Sequence, residues 1–330
     1  MGFTVNNTFG EMLKEPLFQG WRHMLDFRRS NEGDWLEELT ITEFAKRRRA
    51  WNAETLGEGI NYLYEKSLEG QVFYPIWNAD EIQKDPGKEQ TGIAALTLPK
   101  KSKFVLICPG GAYSRVCSVS EGYPLAKKLN EMGYAVFVLS YRAGKNALFP
   151  QPLEDVAAAI RFITQHASEF QVDTEGYCLI GFSAGAHLAG CFGLKEIGYS
   201  KYNVAKPGTI VLGYPLVNLL HDSSGSTVKV KDNILGEAGK SDLALLRKYS
   251  IDINVTSDYP PTYVWQCDED PVVSIENAMR MVMALRQSGV PVGFEAFHYS
   301  THGVWTDAED YPKMWIERAV AFWENVSSRE

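Results

Sequence analysis

From about residue 71 onward, short apolar runs alternate with longer segments in which apolar residues recur at helical spacing. The short runs are rich in β-branched and aromatic residues and predict eight strands, at 71–76, 94–98, 104–108, 135–140, 177–180, 210–214, 262–266 and 293–297. The longer patterns predict helices at 124–132, 152–168, 184–192, 243–249, 275–288 and 314–326. Such alternation is typical of an α/β fold with a mainly parallel eight-stranded sheet and helices on both faces.

Residues 1–70 do not follow this alternation. They carry helical patterns at 9–27 and 41–51 and no predicted strand, so we expect a helical N-terminal extension packed on a main domain of residues 71–330. Aromatic residues recur in the extension at helical spacings, and we expect them to be core contacts rather than platforms for sugars: Phe18, Trp21, Phe27, Trp35 and Trp51.

Two further segments, 193–208 and 218–242, contain Gly, Ser, Lys and Asp without strong periodicity. They predict long loops after strands. Ligand-binding segments of parallel sheets usually lie in such loops.

Composition and charge narrow the function only a little. Of 330 residues, 45% are apolar and 22% charged, which is typical of a globular protein with a sizeable core. The net charge of −8 argues against nucleic acid or an anionic membrane as the main partner. The basic run at 46–49 lies in a helical pattern beside acidic residues and predicts a solvated helix face.

The N-terminal residues do not resemble a secretion signal, and no run approaches the ~20 apolar residues of a membrane span, so we expect a cytoplasmic protein. The five cysteines are odd in number and lack C-x-x-C spacing. They predict reduced, mostly buried thiols.

A G-x-S-x-G motif, Gly181-Phe182-Ser183-Ala184-Gly185, lies between the predicted strand 177–180 and the predicted helix that follows it. On a tight strand-to-helix turn the serine hydroxyl projects above the sheet, and the flanking glycines avoid collisions with the strand and the helix. This context predicts the nucleophile elbow of an α/β-hydrolase, with Ser183 as the nucleophile.

A serine nucleophile needs a base and an acid, which in α/β-hydrolases follow it in the order acid, then histidine. Of His221, His298 and His302 beyond the elbow, His302 is the predicted base because it lies in a loop after the last predicted strand and precedes a glycine. His298 and His302 form an H-x-x-x-H pair, but no helix is expected there and no glutamate follows the first histidine. We therefore expect no metal and no cofactor.

Three carboxylates follow the predicted strand 262–266, and the choice among them stays open at this point. Asp270 is the predicted acid because Pro271 and an apolar pair would anchor it. Asp268 is the competitor and Glu269 a weaker one, and a solvated strand end is the plain structural interpretation.

The sequence Pro109-Gly110-Gly111-Ala112-Tyr113 follows the predicted strand 104–108 and offers backbone N–H groups beside the elbow. We expect the N–H groups of Gly111, Ala112 and Ala184 to form an oxyanion hole. The bulky residues Tyr113 and Trp305 are expected to line the acyl side of a substrate pocket.

These motifs resemble those of the bacterial acetyl-esterase and xylan-esterase-like carboxylesterases. The matching segments are 108–113 (CPGGAY), 121–122, 133–142, 152–155, 181–188, 270–273 (DPVV) and 302–303, within a similarity that extends over about 71–326. The resemblance implies that Ser183, Asp270 and His302 form the triad, and that Gly111, Ala112 and Ala184 are oxyanion donors. The chain departs from the family's HGGG at Pro109 and Ala112, although an alanine still has its N–H.

The resemblance implies a serine carboxylesterase that removes short acyl groups, acetyl above all, from a small-molecule or oligosaccharide ester. The alternatives are a feruloyl esterase, a serine peptidase of the same fold and a non-catalytic binding protein. The N-terminal extension is expected either to cover the site or to form an interface, such as that of a homodimer.

Overall fold

The computed structural model describes residues 2–25, 36–48, 51–221, 225–303 and 314–328. In this part of the chain eight strands form one sheet in the order β1-β2-β4-β3-β5-β6-β7-β8. The strands are β1 (Phe73–Tyr74), β2 (Gly92–Leu96), β3 (Ser102–Cys108), β4 (Ala135–Ser140), β5 (Val172–Phe182), β6 (Thr209–Gly213), β7 (Thr262–Cys267) and β8 (Val292–Phe297). β2 pairs antiparallel with β1 and β4, and the remaining pairs are parallel. The predicted eight-stranded, mainly parallel sheet is confirmed.

The helices of the described residues cover both faces of this sheet. They are α1 (Phe9–Leu13), α2 (Ile41–Arg48), α3 (Ala53–Glu69), α4 (Ala79–Lys84), α5 (Ser118–Glu121), α6 (Tyr123–Glu131), α7 (Gln151–Gln165), α8 (Ala167–Phe170), α9 (Ala184–Gly193), α10 (Gly225–Gly239), α11 (Leu243–Lys248), α12 (Glu276–Gln287) and α13 (Met314–Ser327). The six predicted helices are present, although the one predicted at 152–168 is divided into α7 and α8. None of the described helices is long and apolar enough to cross a bilayer.

The central strands show why continuous apolar runs fold into this sheet. On β3, Phe104 and Leu106 belong to one buried apolar cluster, whereas Val105 and Ile107 belong to a second cluster on the opposite face. Alternate side chains of a strand point to opposite faces, so a strand covered on both faces must be apolar at every position.

The first 70 residues contribute to the second cluster. Phe18 is fully buried and Leu63 of α3 packs in the same cluster as the sheet residues of that face. The hydroxyl of Tyr123, at the start of α6, donates a hydrogen bond to the Met24 carbonyl at 2.6 Å. These contacts fix the N-terminal segment against α5 and α6.

The aromatic residues predicted to be core contacts behave in the same way where they are described. Trp21 and Trp51 are half-buried and stack on Phe73 and Phe44, with ring centroids 5.3 and 5.7 Å apart. Phe27 and Trp35 lie outside the described residues. The division of the chain at residue 70 remains a prediction.

The prediction of a long loop at 218–242 is wrong, because residues 225–239 form α10. Its buried side chains are few, Thr227, Val230 and Ile234, and they form a narrow stripe that is hard to recognise in a polar sequence. Gly236, with φ of +65°, kinks the helix. The segment 194–208, by contrast, consists of turns and loop as predicted.

Candidate active site

Ser183 lies between the end of β5 and the start of α9 with φ of +52° and ψ of −119°. A side chain at Gly185 could not be accommodated, because its Cβ would lie 2.0 Å from the carbonyl oxygen of Cys108. A Cβ at Gly181 would lie 2.3 Å from the carbonyl oxygen of Gly185. The two glycines thus allow β5 and α9 to approach closely around a serine in a strained backbone conformation.

The hydroxyl of Ser183 is hydrogen-bonded to a histidine that is hydrogen-bonded to an aspartate. His302 Nε2 lies 3.0 Å from Ser183 Oγ, and His302 Nδ1 lies 2.7 Å from Asp270 Oδ2. The Asp270 side chain is fully buried, and its other oxygen accepts the N–H groups of Val272 and Val273 at 2.8 and 3.1 Å.

This arrangement fixes the tautomer of His302. A carboxylate only accepts hydrogen bonds, so Nδ1 carries the proton toward Asp270 and Nε2 accepts from the hydroxyl of Ser183. The described contacts therefore bring together a hydroxyl, a base that can remove its proton and a group that orients the base.

The competing residues are paired elsewhere. Asp268 Oδ2 lies 2.9 Å from His298 Nδ1, and the His298 side chain is 84% exposed. The hydrogen bond raises the pKa of His298 and lowers the pKa of Asp268. His221 is exposed at the end of the described segment that precedes α10. Among the described histidines, His302 is the one whose imidazole is hydrogen-bonded to the Ser183 hydroxyl.

The loop of residues 109–113, which we call the oxyanion loop, is held by hydrogen bonds along its length. Tyr141 donates its hydroxyl to the Pro109 carbonyl at 2.6 Å, and Glu121 Oε2 accepts the N–H of Gly110. Asn233 of α10 donates Nδ2 to the Ala112 carbonyl at 2.7 Å. Because the chain is fixed on both sides of Gly111, the direction of its N–H groups is fixed as well.

The backbone of this loop is unusual for non-glycine residues. Gly111, Ala112 and Tyr113 have φ of +126°, +53° and +56°. A Cβ at Gly111 would lie 2.3 Å from the carbonyl oxygen of Arg115, so only glycine fits there.

The predicted oxyanion donors lie against the elbow. The strand that precedes the loop runs parallel to β5, with Cys108 opposite Gly181, and a Cβ at Gly110 would lie 3.0 Å from that of Ser183. No described residue accepts a hydrogen bond from the N–H groups of Gly111, Ala112 or Ala184. Three donors beside a serine hydroxyl can stabilise negative charge that develops on a bound carbonyl oxygen.

The prediction for Tyr113 needs correction. Its side chain is fully buried, its hydroxyl lies 2.9 Å from His187 Nδ1, and its ring packs edge-on against Tyr141 and Phe149. The positive φ directs the side chain into the core under α9, so it offers no accessible surface for an acyl group. Trp305, the other predicted wall residue, lies outside the described residues.

Several residues around the site escaped the sequence analysis. His187 and Asn233 hold the oxyanion loop, and Tyr214 packs its ring edge-on against the imidazole of His302, with centroids 4.7 Å apart. Glu121 and His187 stand in the segments 121–122 and 181–188 that carried part of the resemblance, which was the signal available for these two residues. A single glutamate in a short polar helix is otherwise typical of a surface position.

Several known proteins are similar to this chain in sequence or in fold. A model of the BD-FAE family matches residues 96–285, more than half of the chain. The endo-1,4-beta-xylanase B of Butyrivibrio fibrisolvens is 30% identical over 224 residues, which are 65% of this chain and 34% of that protein. The acetylxylan esterase of Xylanibacter ruminicola is 28% identical over 223 residues, 66% of this chain and 44% of that protein. The chain thus spans less than half the length of either relative.

Among solved structures, the acetyl ester-xyloside bifunctional hydrolase from Caldicellulosiruptor lactoaceticus superposes with a TM-score of 0.67 at 30% identity. The similarity covers 77% of this chain and 96% of that one. The fold of the chain is the α/β-hydrolase fold, as the sequence predicted.

Proposed function

The chain belongs to the BD-FAE family, and from that premise we propose that it is a serine carboxylesterase that removes acetyl groups from a carbohydrate. The hydrogen-bonded series from Asp270 through His302 to Ser183 is the observation that carries the proposal. Two similar proteins, an acetylxylan esterase and an acetyl ester-xyloside bifunctional hydrolase, support acetyl as the acyl group and a xylan-type sugar as the alcohol.

In the proposed mechanism Ser183 Oγ attacks the ester carbonyl while His302 Nε2 removes its proton. The carbonyl oxygen becomes an oxyanion that accepts hydrogen bonds from the N–H groups of Gly111, Ala112 and Ala184. Asp270 stabilises the imidazolium that forms. The oxyanion then collapses, the bond to the sugar oxygen breaks, and that oxygen takes the proton from His302.

The acetyl group is now esterified to Ser183. A water molecule gives its proton to His302 Nε2 and attacks the acetyl carbonyl through the same oxyanion hole. Collapse releases acetic acid, which ionises to acetate in water, and returns the proton of His302 to Ser183, so the enzyme regains its starting state.

Substrate profiling with the purified chain tests the proposal. We expect hydrolysis of p-nitrophenyl acetate and release of acetate from acetylated xylan, and Ser183→Ala should lower kcat by about 10⁴ or more. Ser67→Ala is the matched control, because Ser67 is a buried serine of α3 that donates to the Leu63 carbonyl away from the site. Release of ferulate alone, or cleavage of peptides alone, would replace the acetyl esterase with one of the alternatives.

A further inference from the structure

One buried carboxylate beside Ser183 has no part in the proposed mechanism. Glu121 ends α5 and is 4% exposed. One of its oxygens accepts the N–H of Gly110, and the other accepts the hydroxyl of Tyr214 at 2.9 Å. Both groups that face the carboxylate are hydrogen-bond donors. A glutamine side chain could accept from only one of them, because its NH₂ group would face the other.

The first link leads from Glu121 to the oxyanion loop. A Cβ at Gly110 would lie 2.9 Å from Glu121 Oε2 and 3.0 Å from the Cβ of Ser183, so a single glycine separates the carboxylate from the nucleophile. The N–H groups of Gly111 and Ala112 follow directly in the chain. A shift of Glu121 would therefore move the predicted oxyanion donors.

The second link leads from Glu121 to the base. Tyr214 follows β6 with φ of +37°, and its ring packs edge-on against His302 and stacks on Phe182. The hydrogen bond from its hydroxyl to Glu121 fixes the position of this ring against the imidazole. One side chain thus joins the loop that holds the oxyanion donors to the residue that packs on the base.

The carboxylate stays buried at a cost in free energy. Burial raises the pKa of Glu121, and the hydrogen bonds from Gly110 and Tyr214 and the positive charges of His302 and Arg115 oppose this rise. The 3₁₀ turn Arg22–Leu25 of the N-terminal segment packs against α5, the helix that ends at Glu121, and its Met24 and Leu25 are buried. A buried charged group requires strong partners, and here those partners belong to the candidate site.

Resting on the proposed function, we propose that Glu121 is a positioning residue of the esterase site, which fixes the oxyanion loop through Gly110 and the imidazole of His302 through Tyr214. Its negative charge also favours the imidazolium that forms during attack. The other charged or titratable groups that face this cluster are Asp270, behind His302, Arg115, from the chain after the oxyanion loop, the Tyr141 hydroxyl and the Cys117 thiol.

The test is Glu121→Gln, which keeps the size of the side chain and removes its charge. We expect kcat on p-nitrophenyl acetate to fall by about ten- to a hundredfold with KM nearly unchanged, because the donors and the base are displaced while substrate access is not. We also expect the acidic limb of kcat/KM to move to lower pH, since the imidazolium loses a nearby negative charge. A purely structural role would not move this limb.

Glu295→Gln is the matched control. Glu295 of β8 also accepts a tyrosine hydroxyl, that of Tyr263 at 2.5 Å, but its partners are Tyr263 and Arg318 and not residues of the site. Glu295→Gln should keep both kcat and the acidic limb of the wild type. An equal change in the two variants would overturn the proposal.

Tyr214→Phe provides a second variant in case Glu121→Gln does not fold. It retains the ring against His302 and removes only the hydroxyl, so we expect kcat to fall about three- to tenfold at nearly unchanged KM. Wild-type kcat in folded Glu121→Gln, or in Tyr214→Phe if the first variant is unfolded, would overturn the positioning role. A wild-type protein that neither hydrolyses the ester nor reacts with a fluorophosphonate would overturn the proposed function itself, and this inference with it.

Discussion

Positive φ angles at non-glycine residues concentrate around Ser183. Ala112, Tyr113, Ser183 and Tyr214 all have φ between +37° and +56°. Such conformations cost of order 1–3 kcal/mol each and persist where the surroundings over-determine them. Here a side-chain hydrogen bond holds two of these residues, from Tyr113 to His187 and from Tyr214 to Glu121. The strained residues lie where the proposed chemistry needs a fixed geometry.

The two aspartates at the end of β7 offer a sharp comparison, because Asp268 and Asp270 each contact one histidine. Asp270→Asn should lower kcat by up to about 10⁴, since the imidazole would no longer be held in the tautomer that accepts from Ser183. The matched changes Asp268→Asn and His298→Gln should cost less than about tenfold, as expected for an exposed pair.

Steady-state kinetics of the three variants measure these effects. A crippled Asp268→Asn enzyme beside an active Asp270→Asn enzyme would move the acid two residues earlier. Wild-type activity on a neutral ester should also rise with pH, because His302 Nε2 must carry no proton if it is to accept the proton of Ser183.

His187 makes the stability of the protein depend on pH. It is fully buried between Tyr113 and the carbonyl of Tyr249, and burial lowers its pKa to about 4. His187 is therefore protonated to a greater extent in the unfolded chain than in the folded one between about pH 6.5 and 4, so its contribution to stability falls as the pH drops through this window. The contribution that is lost amounts to about 3 kcal/mol.

Urea unfolding of the wild type and of His187→Gln at several pH values measures this contribution. The variant should be less stable near neutral pH and should lose less stability on acidification than the wild type. Parallel loss of stability in both proteins would show that other groups dominate.

Helix α10 is an element of the candidate site that the sequence did not predict. Asn233 donates Nδ2 both to the Ala112 carbonyl and to Ser114 Oγ, at 2.7 and 2.9 Å, so this helix holds the oxyanion loop from the outside. The helix is inserted between β6 and β7. Through Asn233, the chain between β6 and β7 thus contacts the loop after β3, which carries the predicted oxyanion donors Gly111 and Ala112.

Asn233→Asp keeps the shape of the side chain and removes its donor. We expect kcat to fall about tenfold with little change in melting temperature, because the Ala112 carbonyl loses its partner and the loop loosens. Asp232→Asn, its neighbour on α10 whose carboxylate pairs with Lys240, should retain wild-type kcat. If Asn233→Asp had the same kcat as Asp232→Asn, α10 would not support the oxyanion loop.

The central elements could be predicted from the sequence because each apolar run is long enough to be buried on both faces. The edge of the sheet was less predictable. The strand predicted at 71–76 is limited to Phe73–Tyr74 in β1. The strand predicted at 94–98 begins earlier, because the antiparallel pairing of β2 with β4 begins at Gly92. The stripe of buried side chains on α10 was too narrow to predict a helix from the sequence. Tyr113 was misplaced because nothing in the sequence shows that a positive φ turns its side chain into the core.

The order of nucleophile, acid and base along an α/β-hydrolase chain limits the candidates for the acid and the base to a few residues after Ser183. The choice of Asp270 over Asp268 depends on which side chain is buried at the loop end, and two carboxylates two residues apart cannot be distinguished by sequence pattern. The proposed role of Glu121 depends on its contacts with Gly110 and Tyr214. These residues lie 11 and 93 positions away along the chain, so no local sequence pattern shows the contacts.

At the scale of the whole molecule, the N-terminal segment and the sheet share one apolar cluster. Phe18, Leu56, Ile60 and Leu63 belong to it together with residues of β2 to β7. A segment that contributes this much buried surface is part of the stability of the protein rather than an appendage.

Removal of residues 1–70 should therefore give insoluble or unstable protein. Phe18→Ala is the milder test and should lower stability by about 3–5 kcal/mol, whereas Gln19→Ala, at an exposed neighbouring position, should change it by less than about 0.5 kcal/mol. Thermal and urea unfolding give both values. A soluble truncated protein with full activity would show that the segment is dispensable.

In the proposed mechanism the acyl group passes through a covalent ester on Ser183. Rapid mixing with p-nitrophenyl acetate, acid quenching and mass spectrometry of the peptides detect this ester. We expect one acetyl group on the peptide that contains Ser183, formed with the burst of p-nitrophenol and absent from Ser183→Ala. Acetylation at another residue, or turnover by Ser183→Ala within tenfold of the wild type, would contradict it.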